Sequence, residues 1–238
     1  MIKKQGLRMT PVRIIVTAGP TIEPLDPVRF ISNRSSGYMG YKIAEAASNR
    51  GHIVTLISGP TRLDPPKVKK FVSIETAKDL LAAIKKEIKK SDCLIMCAAV
   101  GDFRPDKPAK QKIKRTRALS LRLAANKDIL RALSGCREGK LFVGFSLETE
   151  NIIKNSIKKL KSKDLDLIAA SRLTKNHNPF DNRKLDVLII NRSGQKMLLK
   201  NKSKSYVSHV LLDKIEQLWY LMNNRGTTQN VTRNKRRT

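Results

Sequence analysis

Asn33 stands in the run Ile31-Ser32-Asn33-Arg34-Ser35-Ser36-Gly37-Tyr38-Met39-Gly40, which follows the first convincing strand and opens the first convincing helix. Small residues at a helix start expose backbone N–H groups. With the helix dipole those groups form an anion site, here at Ser35, Ser36 and Gly37. A carboxamide beside such groups can hold a carboxylate or the acyl oxygen of an intermediate. A lone Asn before a helix is also an ordinary loop or capping residue, and the pattern leaves both open. A second candidate is Ala98-Ala99-Val100-Gly101-Asp102-Phe103-Arg104-Pro105, where small residues at a strand exit let a ligand approach the backbone. A turn-forming Asp would account for it equally well. Lys107, Lys110, Lys112, Lys114 and Arg115 follow on a loop. Such a run is either a solvated face or a basic flap able to close on a triphosphate. Lys158, Lys159, Lys161 and Lys163 end a helix, where cations suit the dipole without any ligand.

Other chemistries are poorly represented. His52, His177 and His209 lie in unrelated contexts, and no Ser-His-Asp or Cys-His pairing emerges. Cys93, Cys97 and Cys136 have no metal or redox spacing; Cys93 and Cys97 are expected on one face of a strand as small buried hydrophobes. No carboxylate cluster suggests a metal cage. The G-x-G-x-x-G turn is missing after the first strand, and Ser58-Gly59-Pro60-Thr61 stands where a ribose-binding acid would be, which argues against ordinary NAD use.

These residues need a frame of alternating strands and helices. Val12 to Ala18 is a β-branched run ending in glycine, a buried strand. The loop Gly19 to Ser36 holds Pro20, Pro24 and Pro27 and cannot be regular throughout. A helix from Gly40 to Arg50, a strand from His52 to Ser58, a strand from Val68 to Ile74 and a helix from Thr76 to Lys90 follow. Cys93 to Ala99 is a nearly unbroken apolar strand, as expected when helices cover both faces. A basic loop spans 104–117, and Leu119 to Leu123 alternates as a half-exposed strand. Further elements are a helix at Asp128 to Leu133, a strand at Leu141 to Phe145, a helix at Thr149 to Lys163 and a strand at Leu165 to Ala170. A hairpin turns at Arg192-Ser193-Gly194, and a helix runs from Ser205 to Met222. The predicted fold is α/β, a doubly wound Rossmann-like and mostly parallel sheet with a small antiparallel addition. Residues 1–11 are a basic lead, 12–222 one domain with its flap at 104–117, and 223–238 a disordered basic tail with five Arg or Lys and no acid.

The 238 residues are 40% hydrophobic but only 5% aromatic, so the core is aliphatic. Lys and Arg number 49 against 20 Asp and Glu, a net charge of +29 that draws anions without choosing among them. No apolar run reaches transmembrane length and no signal-peptide pattern appears, so a cytoplasmic protein is expected, with no membrane partner.

The chain resembles phosphopantothenate–cysteine ligase, the amide-forming step of coenzyme A synthesis. The likeness runs from about Val12 to Trp219. Its strongest block joins Thr17-Ala18-Gly19-Pro20-Thr21, then Glu23 to Gly37 without a break, then Met39-Gly40. Ala98 to Pro105, Lys112-Ile113-Lys114-Arg115, Val143-Gly144-Phe145 with Glu148-Thr149, and Leu165 to Ile168 recur in order. The resemblance implies that the 4′-phosphopantothenate carboxylate attacks the α-phosphorus of a nucleoside triphosphate, CTP in the bacterial type. Pyrophosphate leaves, and the amine of cysteine then displaces the nucleotide. It implies that Asn33 contacts the pantothenoyl carboxylate and acyl intermediate, supported by Arg29, and that Ser35, Ser36 and Gly37 form the anion site. Ala98, Ala99 and Asp102 would line the nucleotide pocket, and Lys112 would engage the phosphates. Asn126, Lys127, Asp128 and Ile129 would supply a second nucleotide-contact segment, and Phe145, Lys159 and Lys163 later contacts. A homodimer and a magnesium ion held mainly by nucleotide phosphates are implied as well.

The chain departs from the family pattern at Pro20, Gly101, Lys127, Ser146-Leu147 and Ser171-Arg172, which bears on nucleotide choice (CTP against ATP) and leaves the Asn33 and Lys112 motifs intact. The flavin-dependent phosphopantothenoylcysteine decarboxylase often fused in front of this domain is expected on a separate polypeptide, and no flavin is expected here. Two other readings compete. The charge fits a nucleic-acid-binding protein, though no aromatic stacking platform or groove-reading motif supports it, and the tail could add weak nucleic-acid affinity to a ligase. An NADP-dependent oxidoreductase lacks its fingerprint.

Overall fold

The computed structural model describes residues 10–174, 180 and 184–234. Most of the basic lead, His177 and the last four residues of the tail lie outside them. The chain divides into two compact units, 1–140 and 141–238.

In the first unit the strands β1 (Arg13–Ala18), β4 (Ile53–Ser58), β5 (Lys70–Ser73) and β6 (Cys93–Met96) are parallel, in the order β6-β1-β4-β5. Strand β1 is central, and Ile14, Ile15 and Val16 are fully buried, as a parallel strand covered on both faces requires. Helices α1 (Tyr38–Asn49) and α2 (Ala77–Ile88) are the crossovers. Helix α1 buries Ile43, Ala44 and Ala47, and α2 buries Leu80, Ile84 and Ile88 at helical spacing. Thr76 and Asp79 form a capping box at the start of α2, and the buried Glu23 accepts from the Ala77 N–H at 2.9 Å.

The loop after β1 holds structure that its prolines hid. Strands β2 (Ile22–Pro24) and β3 (Phe30–Ser32) pair antiparallel. A second short pair joins β7 (Phe103–Pro105) to β8 (Leu123–Ala125). This corrects the expected strand at Leu119 to Leu123: pairing starts only where Leu123 meets Pro105, and Leu119 to Arg122 are irregular and exposed. Strand β6 ends at Met96, so Cys97 is not a strand residue sharing a face with Cys93; beyond it only the bridge of Ala99 to Pro20 continues the pairing. Asp128 caps the short helix α3 (Ile129–Ala132).

In the second unit β9 (Leu141–Glu148) and β10 (Leu167–Arg172) are parallel, joined through α4 (Ile152–Ser162). Strands β11 (Leu185–Asn191) and β12 (Lys196–Lys202) add antiparallel, in the order β12-β11-β10-β9, with Gly194 at positive φ in the expected turn. Helix α5 (Lys204–Asn234) buries Val207, Leu211, Leu212 and Ile215. It continues past Met222, where the sequence pattern predicts the helix to end. Once nucleated on packed turns, a helix propagates at one hydrogen bond per residue fixed, and no proline interrupts it. The fold class is the expected one: a mostly parallel α/β arrangement with a small antiparallel addition.

Candidate active site

In the first unit the strand order changes direction at β1, between β6 and β4. Open α/β sheets bind ligands at the carboxyl ends of strands flanking such a point. The segments leaving β1 and β6 meet there. Ala99 N–H donates to Gly19 O (2.9 Å) and Thr21 N–H to Ala99 O (3.1 Å). Two buried threonines complete the junction. Thr17 Oγ1 accepts from the N–H groups of Cys97 and Ala98, both at 3.1 Å, and Thr21 Oγ1 accepts from Gly101 N–H at 2.9 Å.

Asn33 follows β3 and reaches this junction. Its Nδ2 donates to Ala99 O at 3.2 Å and to Val100 O at 3.0 Å. Both amide protons are thereby committed, and the carboxamide offers its Oδ1 as an acceptor. That group suits a proton-bearing partner such as an amine better than a carboxylate. Asn126 closes the other side: its Nδ2 donates to Gly101 O and its N–H to Asp102 O, each at 2.8 Å. Asn33, Ala98, Ala99, Asp102 and Asn126 are therefore brought together around the exit of β6. Lys127 is exposed, Asp128 is committed to capping α3 beside Arg131, and Ile129 is buried in the core.

Gly37 starts α1 at φ 76° with no side-chain cap. A Cβ there would sit 2.7 Å from Thr61 Cγ2 and 3.1 Å from Gly19 N, so only glycine lets the helix start abut the turn after β1. Ser35 Oγ accepts from Gly37 N–H at 3.3 Å and Ser36 Oγ from Tyr38 N–H at 3.4 Å. These long bonds satisfy helix-start donors weakly.

Arg29 is engaged away from Asn33. Its Nε donates to Asp26 Oδ2 at 3.0 Å, and its Nη2 donates to Asp26 and, at 2.7 Å, to Ile113 O. Asp26 is buried and also accepts from the N–H groups of Val28, Arg29 and Ile113 at 2.9, 2.8 and 3.1 Å. The Arg29 guanidinium, against the opposing effect of burial and aided by those N–H groups, holds the Asp26 carboxyl well below the usual carboxylate range. Lys112 is exposed on the flap beside Ile113.

Phe145, Lys159 and Lys163 belong to the second unit. Phe145 is half-buried on β9. Lys159 Nζ meets Glu148 Oε1 at 2.7 Å, and Asn155 Nδ2 donates to Glu148 Oε2 at 3.1 Å, so Lys159 is paired on its own unit. Lys163 closes the last turn of α4.

Sequence reasoning missed Thr17, Thr21 and Asp26 as site-building residues, although all three lie in its strongest motif. A hydroxyl at the end of an otherwise apolar buried strand was the available signal for Thr17.

The family model of the DNA/pantothenate metabolism flavoprotein C-terminal domain matches residues 9–218. The chain belongs to that family. It is 37% identical over 209 residues to the coenzyme A biosynthesis bifunctional protein CoaBC of Escherichia coli (strain K12), covering 86% of this chain and 51% of that protein. It is 40% identical over 207 residues to the CoaBC protein of Bacillus subtilis (strain 168), again covering 86% and 51%. The chain spans about half the length of the curated relatives it matches. A crystal structure of the C-terminal domain of a CoaBC protein is similar with a TM-score of 0.76 and 35% identity, covering 88% of this chain and 96% of that one.

Proposed function

We propose that this member of the family is a phosphopantothenate–cysteine ligase of coenzyme A synthesis, with CTP as its activating nucleotide. The carrying observation is the commitment of both Asn33 amide protons to successive carbonyls at the exit of β6, in the crevice where an α/β sheet binds its ligand. The names of the CoaBC relatives support the pathway.

A carboxylate oxygen of 4′-phosphopantothenate attacks the α-phosphorus of CTP; the bond to the bridging oxygen breaks and pyrophosphate departs. The cysteine amine then attacks the acyl carbon, the amide forms, the nucleoside monophosphate leaves and the amine loses a proton. Asn33 Oδ1 accepts from the amine as it approaches. By resemblance Ser35, Ser36 and Gly37 hold an anionic group of the substrate; the Ser35 N–H already donates to Asn33 O at 2.9 Å, so the weakly bonded Gly37 N–H and the serine hydroxyls serve better, and Ala98, Ala99, Asp102 and Asn126 shape the nucleotide pocket. Lys112 steadies the phosphates. Positioning and charge stabilisation supply most of the catalysis, so no triad is needed. Phe145, Lys159 and Lys163 remain nucleotide contacts by resemblance.

Among the described residues no group of three or more His, Cys, Asp or Glu side chains gathers as a metal cage. A magnesium ion would be held mainly by phosphate oxygens and water, where it would offset phosphate charge. Exposed apolar side chains on the two short antiparallel pairs (Phe30, Phe103 and Leu123, with Leu119 and Leu121 nearby) support a homodimer. No helix among the described residues is long and apolar enough to cross a membrane.

Pyrophosphate release is measured with magnesium, 4′-phosphopantothenate and either CTP or ATP, with and without cysteine. The expected result is phosphopantothenate-dependent release with CTP, and amide only when cysteine is present. Folded protein that releases pyrophosphate with neither nucleotide would overturn the reading.

A further inference from the structure

The basic flap is fastened at two points, both on one short turn. Ala109 N–H donates to Leu25 O at 2.9 Å. Four residues on, Ile113 is held through both backbone groups: its N–H donates to Asp26 Oδ2 and its carbonyl accepts from Arg29 Nη2. Lys110, Gln111 and Lys112 arch between these feet. The turn that holds them joins β2 to β3, and β3 leads directly into Asn33. At about 3.3 Å per residue, the four residues from Arg29 to Asn33 span roughly 13 Å. One hairpin thus carries the flap at its tip and the carboxamide at its base.

Asp26 is central to the fastening. Its side chain is fully buried, whereas that of Arg29 is 42% exposed. Its two oxygens take three backbone N–H groups and the guanidinium together. A buried carboxylate so surrounded fixes its donors in direction as well as distance, because each bond to a charged acceptor is stronger than a neutral one. Arg29 in turn meets Ile113 O at 2.7 Å with the same guanidinium whose Nε and Nη2 are held by Asp26.

We propose that Asp26 is a positioning residue that, through Arg29 and the Ile113 backbone, holds the Lys110–Lys112 arch in register with Asn33, so that Lys112 is aimed before the triphosphate arrives. This rests on the ligase reading for what Lys112 meets, but not for the fastening itself. Asp26→Asn keeps the size and removes the charge, and it turns one acceptor into a donor facing donors. Ile113→Pro removes the N–H that Asp26 takes while leaving the carbonyl that Arg29 meets, and it sits on a loop outside the core, where the fixed φ is tolerated best.

The full chain is digested briefly with trypsin, and cleavage after Lys110 and Lys114 is compared with cleavage on α4; the bond after Lys112 is left out because Ile113→Pro makes it resistant to trypsin. In parallel, pyrophosphate release is followed against nucleotide concentration. Both variants should raise flap cleavage selectively and raise the nucleotide KM about tenfold while kcat changes by less than about threefold, as expected when a charged hydrogen bond that prepares binding is lost. Flap cleavage that stays at the wild-type rate, or rises only in step with α4, would overturn the proposal. So would faster flap cleavage with an unchanged nucleotide KM. Wild-type protein without pyrophosphate release would sink the ligase reading alone, and the cleavage rates would still decide whether Asp26 fastens the flap.

Discussion

Asn33 does two jobs with one side chain. Its nitrogen fastens the segment after β6, and its oxygen remains for a ligand. Replacing it by alanine removes both at an exposed position, so the core should survive while the acceptor proposed for the amine is lost. Asn33→Ala should slow cysteine-dependent amide formation on the order of a hundredfold, the scale of a misplaced reacting group, with a smaller effect on pyrophosphate release. Following both products in one reaction checks this, and full-rate amide formation would remove Asn33 from the site. Asn33 was legible because a specific motif surrounds it. Thr17, Thr21 and Asp26 were not, because their partners lie about 80 residues or more away in sequence, at Cys97, Gly101 and Ile113. A local pattern carries no information on such pairs. The sequence reading set Arg29 beside Asn33 and carried no signal of its bond to Ile113 O, for the same reason.

The elements aim these residues through close backbone approaches. Helix α1 leans on β1 at Gly40, where a Cβ would lie 2.6 Å from Ala18 Cβ and 2.9 Å from Thr17 O. Alanine normally favours a helix over glycine by about 1 kcal/mol. Here the neighbours are a buried central strand and its backbone, which cannot yield cheaply, so overpacking of about 1–3 kcal/mol outweighs that gain. Gly40→Ala should lower Tm by roughly 2–8 °C in a calorimetric scan. An unchanged or higher Tm would show that the helix start is free to shift. The alternation of parallel strands and helices was legible from apolar runs and glycine stops, since β1, β4 and β6 are buried along most of their length. The β2–β3 pair was not, because three residues per strand with prolines among them read as loop. The end of β6 at Met96 was hidden as well, because the small apolar residues that follow are compatible with a strand and are turned aside by Thr17.

At the scale of the whole molecule the charge is unbalanced. Of 69 charged residues, 49 are cationic, so every carboxylate that keeps its proton off relieves self-repulsion. Asp92 does so at a structural joint. It accepts from the Arg13 backbone N–H at 2.8 Å and from Arg13 Nε at 3.0 Å, while its own N–H donates to Arg13 O, tying the start of β1 to the start of β6. Burial pushes the Asp92 carboxyl up, but the hydrogen bonds and charge of Arg13 outweigh it and leave the group below its usual range. A carboxylate depressed in the folded state contributes stability that is present above its unfolded value, about pH 4, and lost as pH falls through the folded one. Asp26 acts in the same direction. As acid protonates the carboxylates it also leaves the 49 cations unopposed, and the two effects add. Tm should therefore hold between about pH 8 and 5 and fall steeply below about pH 4, with added salt recovering part of the loss by screening. Asp92→Asn should lower the plateau by about 1–2 kcal/mol, a charged hydrogen bond discounted for the exposure of Arg13, and should flatten the acid limb because one linked proton is gone. Thermal melts of both proteins across this range separate the causes. If the variant keeps the wild-type acid slope, Asp92 has no part in the acid sensitivity, which then rests on Asp26 and the net charge.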